Sequence, residues 1–398
     1  MLDHDSRLRP DRVAGCLLGG AIGDALGAPL EAMALAEIRE RYGPEGLTDR
    51  TLIEQSSGAG GALRISEETQ LALLTANGLI QGSVRARSRG IGGATLGIIQ
   101  ASYITWLERM DRTEDGDSGH SSLGIGLGLL GDPALAVPAR AGRSTTEALR
   151  KAAARDKPGW PLGTLEEPIN SSKGSGGVVR AAACGTAHSR EAAFELGCRT
   201  AALTHGDPGG HLPAGTLAAA VWSLLRGADL ETALEGARAE LAEHKGRKET
   251  ERALNAAVRL AAKGDPSPER VESLGGGWTG PEALAVAVYA ALAAERLQAE
   301  RQAAQPWSRQ WRTVGGPGLL LAVNHSGDSD ATGALCGNLI GARHGTLAFP
   351  GLWQSELDAR GAVLRLAADL SLESGPDAPS DPRWGEPPMS WVMRYPEA

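Results

Sequence analysis

The sequence predicts an all-α fold, a single large compact helical domain, from three observations. The 398 residues hold 54 Gly but only 9 Trp, 4 Tyr and 2 Phe. A core so poor in aromatics must be built from Ala, Leu, Val and Ile, which suits close-packed helices better than a sandwich of strands. Apolar residues recur at helical spacing along most of the chain. Clean alternation with a period of two is nearly absent.

Taken in order, residues 11–26 carry Val13, Leu17, Ile22 and Leu26 among small residues. Their glycines let another backbone, or a ligand, approach closely. Residues 67–81 carry Leu71, Leu74, Ala76 and Ile80, and 88–110 form a longer apolar stretch ending in Trp106, Leu107 and Met110. Residues 111–120 are polar and read as a loop. Helices over 191–203 and 214–226 are split by the turn-rich Gly206-Asp207-Pro208-Gly209-Gly210. Leu230, Ala233, Leu234, Ala237 and Leu241 keep helical spacing, as do Leu254, Ala257, Val258 and Ala261. Pro281 and Glu282 open a nearly all-apolar helix over 281–298. Helices over 331–343 and 355–369 complete the set. No linker divides residues 1–370, and the proline-rich 371–398 reads as an extended strap.

The net charge of −8 argues against a broad nucleic-acid surface, which needs a basic face. Cys16, Cys184, Cys198 and Cys336 form no C-x-x-C pair. They read as four reduced thiols in a cytoplasmic protein. The charged Met1 to Pro10 has no apolar signal-peptide core, and no run of 18 apolar residues predicts a membrane span.

Acidic groups gather beside hydroxyls at two helix starts, Ser66-Glu67-Glu68-Thr69-Gln70 and Asp328-Ser329-Asp330-Ala331-Thr332. Each alone is an ordinary capping signature. Each also offers more oxygens than a cap uses, and two such clusters brought face to face would suit a hard cation such as Mg²⁺, singly or as a pair. Asp24, in the glycine-rich first helix, reads as a helix-end hydrogen-bonding residue. Glu31, just past Pro29, reads either as a surface acid or as an active-site carboxylate.

These residues resemble a family. Gly15 to Gly27 (GCLLGGAIGDALG) with Glu31 resembles the N-terminal signature of the ADP-ribosylglycohydrolases, the dinitrogenase-reductase-activating and ADP-ribosyl-acceptor hydrolases. The two acidic clusters fall where that family has Thr-Asp-Asp-Thr and Asp-x-Asp-Ser/Thr. Asn170 to Arg180 (NSSKGSGGVVR) resembles its glycine-rich substrate loop, Thr204-His205 its Thr-His pair, and Leu274 to Trp278 with Glu282-Ala283-Leu284 a late motif. The motifs keep the family's order over about residues 12–345.

The resemblance implies an all-α hydrolase cleaving an N- or O-glycosidic ADP-ribosyl bond, with water attacking the anomeric carbon of ribose. It implies one or two Mg²⁺ ions, with Mn²⁺ or Ca²⁺ as alternatives, held by Ser66, Glu67, Glu68, Asp328 and Asp330. Glu31 would be the acid/base carboxylate, and Lys173, Gly174, Ser175, Gly176, Gly177 and His205 would bind substrate, the glycines along the diphosphate. The chemistry is consistent: an oxocarbenium-like state needs carboxylates to position water and proton donor, and a Gly/Ser loop entering a helix at Val178 presents N–H groups to an anion. The partner is then an ADP-ribosylated protein or a small ADP-ribosyl or nucleotide substrate, with neither nucleic acid nor membrane. His211 matches no motif.

The chain departs from the family at the metal positions. Glu67 and Glu68 replace paired aspartates, each one methylene longer, where Mg²⁺–oxygen bonds of about 2.0–2.1 Å tolerate little misfit. Ala331 replaces a hydroxyl residue. Thr332 lies about 100° further round the helix and does not substitute. Ser175 stands where many members carry Asn or Cys. These changes fit a site adjusted to one metal or a larger cation, or one that keeps ADP-ribose binding without hydrolysis. A third reading is hydrolysis of a small nucleotide or biosynthetic N-riboside.

Overall fold

The computed structural model describes residues 7–49, 51–52, 63–114, 129, 132–136, 141–155, 161–305 and 313–396. Helices follow one another as α1 (Pro10–Gly27), α2 (Leu35–Tyr42), α3 (Glu67–Arg89), α4 (Thr95–Glu114) and α5 (Arg143–Ala153). A single turn, α6 (Gly176–Val179), precedes α7 (Arg190–Ala202), α8 (Pro208–Leu225), α9 (Leu230–Ala242) and α10 (Lys248–Ala261). Then come α11 (Pro268–Glu272), α12 (Gly280–Ala304), α13 (Gly315–Val323), α14 (Ser329–His344), α15 (Gly351–Glu356), α16 (Arg360–Glu373) and α17 (Met389–Arg394). Among the described residues there is no strand, only isolated bridges of Leu63 with Leu357 and Gly174 with Thr279. The all-α expectation holds.

Several boundaries differ from the sequence reading, each for a local reason. α3 runs on to Arg89 and stops at Gly90, whose φ of +66° ends it in the left-handed region. The next helix therefore starts at Thr95 rather than at 88. Asp207, expected in a turn, caps α8 by accepting the Gly209 amide at 2.7 Å. With Pro208 at the first position, the helix begins well before residue 214. The helix expected over 355–369 is broken at Leu357–Ala359, where Leu63 accepts from Asp358 N at 3.1 Å. Of the expected loop, 111–114 belong to α4 and 115–120 lie outside the described residues.

The glycines find their use between α1 and α14. Gly15, Gly19, Gly23 and Gly27 lie four apart and so share one face. That face meets Gly341, Gly337, Gly333 and Ser329 in antiparallel order. A Cβ on Gly337 would sit 1.9 Å from the Gly19 carbonyl oxygen, and one on Gly341 1.9 Å from that of Gly15. The two backbones touch, with no room for side chains between them. Around this pair, α8 packs on α7, α9 and α12, α12 on α10 and α13, and α16 on α1 and α3. The core is mostly Ala, Leu and Val. A smaller cluster holds Tyr103 and Trp106 of α4 with Leu71 and Leu74 of α3.

Pro10–Leu30, with mean hydropathy 1.5, is long and apolar enough to cross a membrane by length and composition, although the sequence reading found no span; its window is 83 % buried among the other helices. The four cysteines are buried and unbridged, and burial pushes the Cys16 and Cys184 thiols up to about 12. The C-terminal segment folds back on α16. Trp391 is buried, and Tyr395 Oη donates to Asp369 at 2.9 Å while Arg394 forks onto the same carboxylate.

Candidate active site

The glycine contact between α1 and α14 ends where the chemistry begins. At Gly27 a Cβ would sit 2.4 Å from Asp330 N, so the last turn of α1 lies against the first turn of α14. Asp24 is fully buried there. Its Oδ2 accepts from Ser66 N at 2.9 Å and Thr69 N at 3.3 Å, and from the Thr69 hydroxyl. Asp24 thus ties the start of α3 to α1, while its Oδ1 has no hydrogen-bond partner. Burial, and then the charge of Asp330, push its carboxyl up to about 7.

Glu31 follows a 3₁₀ turn at Ala28–Leu30. Ala32 then takes φ +59°, a left-handed conformation costly for a residue with a Cβ. The Ala32 amide donates to Gly327 O at 2.9 Å, which fixes Glu31 against the loop before Asp328. Glu31, Asp328 and Asp330 come together: one carboxylate oxygen of each lies within 4.8 Å of the others. Glu31 stands exposed at the mouth, whereas Asp328 and Asp330 are buried. Asp330 Oδ1 accepts the Ala331 amide at 2.8 Å, and Asp328 accepts the Ser175 hydroxyl at 2.5 Å. Loss of water and the charge of Asp330 raise the Glu31 carboxyl. Burial comes first for Asp328 too, followed by contact with Asp330, and its carboxyl is raised well above the usual range.

Glu67 and Glu68 line the same cleft. Burial pushes Glu67 up to about 8. Glu68 is raised by burial and then by Glu67 and Asp330. A Cβ on Gly176 would lie 3.5 Å from Glu68 Oε1, so this longer side chain reaches toward the glycine loop. Ser66 is spent as the cap of α3, accepting Glu68 N at 3.1 Å, and does not line the cleft. The Thr332 hydroxyl donates into backbone carbonyls of Ala322 and Asp328 and meets His325 Nε2 at 2.9 Å. It faces the core, away from the acids.

The opposite wall is the glycine loop. Asn170 holds it: Oδ1 accepts from Ser172 N and Gly206 N, both at 3.0 Å, and Nδ2 donates to Thr204 O at 2.8 Å. Ser175 N donates to Trp278 O at 3.3 Å, and Gly280 N to Lys173 O at 2.8 Å. Gly174, Ser175, Gly176 and His205 line the cleft. Gly177 instead packs against Ala201 and His205. Lys173, expected at the substrate, pairs with Glu249 at 2.8 Å outside the cleft lining. The helix expected to start at Val178 is one turn, α6, too short for an appreciable dipole. His205 is buried, and its ring is held neutral, lowered to about 3 by burial and by Arg180.

The cleft encloses about 200 Å³. Sequence reasoning missed two parts of its lining, Ala141–Thr145 at the start of α5 and the 48 % exposed Trp278 as a wall. No motif marks 141–145. Trp278 sat inside a recognised motif without an assigned role.

Six carboxyls and one buried arginine set the charge. With any divalent cation chelated, stability is expected to fall from about pH 5 to pH 8. Asp24 and Glu67 bind protons more tightly folded, at about 7 and 8, than at their ordinary 3.8 and 4.5. Their protonated forms therefore favour the fold at low pH, and that contribution is lost as pH rises through the folded values. Thermal unfolding in chelator checks this; a midpoint that rises with pH contradicts it.

The sequence model of the ADP-ribosylglycohydrolase family matches residues 4–379. Among solved structures, 46 chains match. One, described as an "ADP-ribosylglycohydrolase-related protein complex", is similar with a TM-score of 0.57 at 24 % identity, covering 92 % of this chain and 98 % of its own. No curated protein matches the chain. Fold, motif order and the family match over residues 4–379 agree, and the chain belongs to the ADP-ribosylglycohydrolase family.

Proposed function

We propose that the chain hydrolyses an ADP-ribosyl bond at the anomeric carbon of ribose, with a divalent cation at the acidic cluster. The observation that carries this is the meeting of Glu31, Asp328 and Asp330 within 4.8 Å in a cleft whose far wall is the Gly174–Gly176 loop and His205. The residues fit a hard cation. The donors are all oxygens, Asp24 Oδ1 is orphaned beside them, and the carboxyls crowd one another in a cleft where burial and then mutual repulsion raise them. The geometry supports one such position, held by Glu31, Asp328 and Asp330, with Mg²⁺, Mn²⁺ or Ca²⁺ as candidates. When bound, the cation supplies Lewis-acid polarisation and neutralises the carboxylates.

The chain's own residues divide the remaining work. Glu31 would lend the cation one carboxylate oxygen; its other oxygen, at the exposed mouth, is suited to take a proton from water and pass it to the departing oxygen or nitrogen. The Gly174 and Ser175 amides are spent on Ser172 Oγ and Trp278 O, which leaves those of Gly176 and Gly177 for the diphosphate, and Trp278 offers an apolar wall to a sugar or base. Ala141–Thr145 line one side of the cleft.

The test is release of ADP-ribose from arginine-, serine- and nucleotide-linked substrates by protein shown to be folded, with each of the three cations. No release from any substrate sinks the proposal. Calorimetric binding of ADP-ribose without release would assign a binding protein in place of a hydrolase.

A further inference from the structure

We infer that Arg180, buried beneath the cleft, is a positioning residue that fixes the tautomer of His205 through Thr204, so that Nε2 carries the ring proton and donates it to an acceptor oxygen of the ligand. The tautomer stands on the geometry below. Only the identity of that oxygen, in a diphosphate or a ribose, rests on the proposed function.

The Arg180 side chain is among the largest fully buried ones. Its Nη2 donates to the Thr204 hydroxyl and lies 3.5 Å from His205 Nδ1. A guanidinium can only donate. The Thr204 hydroxyl, already accepting from Arg180, is 2.8 Å from His205 Nδ1 and 3.4 Å from Ala201 O. Its single proton goes to the nearer acceptor, Nδ1. A proton on Nδ1 would instead face the guanidinium N–H of Arg180, a full cation, and compete with it for the Thr204 oxygen. Nδ1 therefore accepts, and a neutral imidazole with an accepting Nδ1 carries its proton on Nε2.

The other side of the ring completes the argument. Gly174 lies over Nε2: a Cβ there would be 3.2 Å away. Glycine keeps that approach open, and His205 is part of the cleft lining. The donor thus faces the volume where the ligand sits. Arg180 itself is held by the face of Tyr103, 4.9 Å from its ring centroid, and its Nε and Nη1 have no hydrogen-bond partner among the described residues. The guanidinium also faces the charge of Glu68, and its Nη2 serves the Thr204–His205 pair. Its charge also lies under the loop that faces the diphosphate.

The test reads the ring nitrogens of His205 by long-range ¹⁵N NMR in ligand-free protein, with the signal assigned by His205→Gln. The expected wild-type pattern is a protonated Nε2 and a bare Nδ1. Thr204→Val, which keeps the shape and removes the hydroxyl, should mix the two tautomers and weaken ADP-ribose binding about tenfold, the usual effect of a lost buried hydrogen bond. Thr204→Ser should restore both. Arg180→Met should mix the tautomers likewise, and the threonine variants decide the matter if that one fails to fold. A wild-type proton on Nδ1, or an unchanged Nε2–H population in Thr204→Val, overturns the inference. If wild-type protein does not bind ADP-ribose, the proposed ligand fails, and the tautomer pattern still decides the relay.

Discussion

Asp330→Asn is expected to abolish divalent-cation binding and to lower hydrolysis at least about a hundredfold, beyond the 10–100-fold typical of losing a mere supporting group. Asparagine keeps the shape and the oxygen that accepts the Ala331 amide at 2.8 Å, so the start of α14 should survive. What is lost is one of three converging charges. The same charge raises the carboxyls of Asp24, Glu31, Glu67, Glu68 and Asp328. Its removal should therefore make the chelated protein more stable near pH 8 and flatten its pH dependence, by about 1.4 kcal/mol for each unit by which a carboxyl relaxes. Calorimetric titration with Mg²⁺ and thermal unfolding with and without chelator read the two effects together. A variant that unfolds is thereby told apart from one that has lost its metal site. Cation affinity equal to wild type would show that the cluster is not the metal position.

Much of this site was legible because its residues announce themselves locally. Acids at two helix starts, a glycine loop and a Thr-His pair can each be read within a dozen residues. What was not legible is what depends on distant partners. Lys173 looked like a phosphate ligand, but its ammonium goes to Glu249 on α10. Ser66 looked like a metal hydroxyl, but the α3 amides claimed it first. Asp24 was read as a helix-end hydrogen-bonding residue. It is one, but its partners are the amides of a helix 42 residues away, and an acid buried among glycines was the signal that it mattered. The wall at Ala141–Thr145 has no local signature at all. For the fold, helical periodicity gave the elements, and glycines at 90, 209 and 210 moved their ends, because a glycine can cap one helix or lie inside the first turn of the next.

The first-helix glycines could be read as a close-approach face, but a stripe on one helix does not say which helix meets it. Its complement, Gly333, Gly337 and Gly341, lies over 300 residues away in sequence. Gly337→Val is expected to be the most destabilising single change considered, costing more than about 3 kcal/mol and in practice preventing a native fold. Even a Cβ there would sit 1.9 Å from the Gly19 carbonyl oxygen and 3.0 Å from Gly20 N. Both atoms are backbone, so no side chain can swing away, and the whole of α1 would have to lift. Overpacking of a core that can adjust costs about 1–3 kcal/mol; this contact cannot adjust without separating the helices. Separation would also part Asp24 from Ser66 and Glu31 from Asp328, so cation binding should vanish with the fold. The control is Gly351→Ala, where a Cβ meets nothing within 4 Å and stability should change by less than about 0.5 kcal/mol. Denaturant unfolding of both variants checks the pair. A Gly337→Val protein as stable as the control would mean that α1 and α14 do not meet backbone to backbone, and the placement of the acidic cluster would fall with that contact.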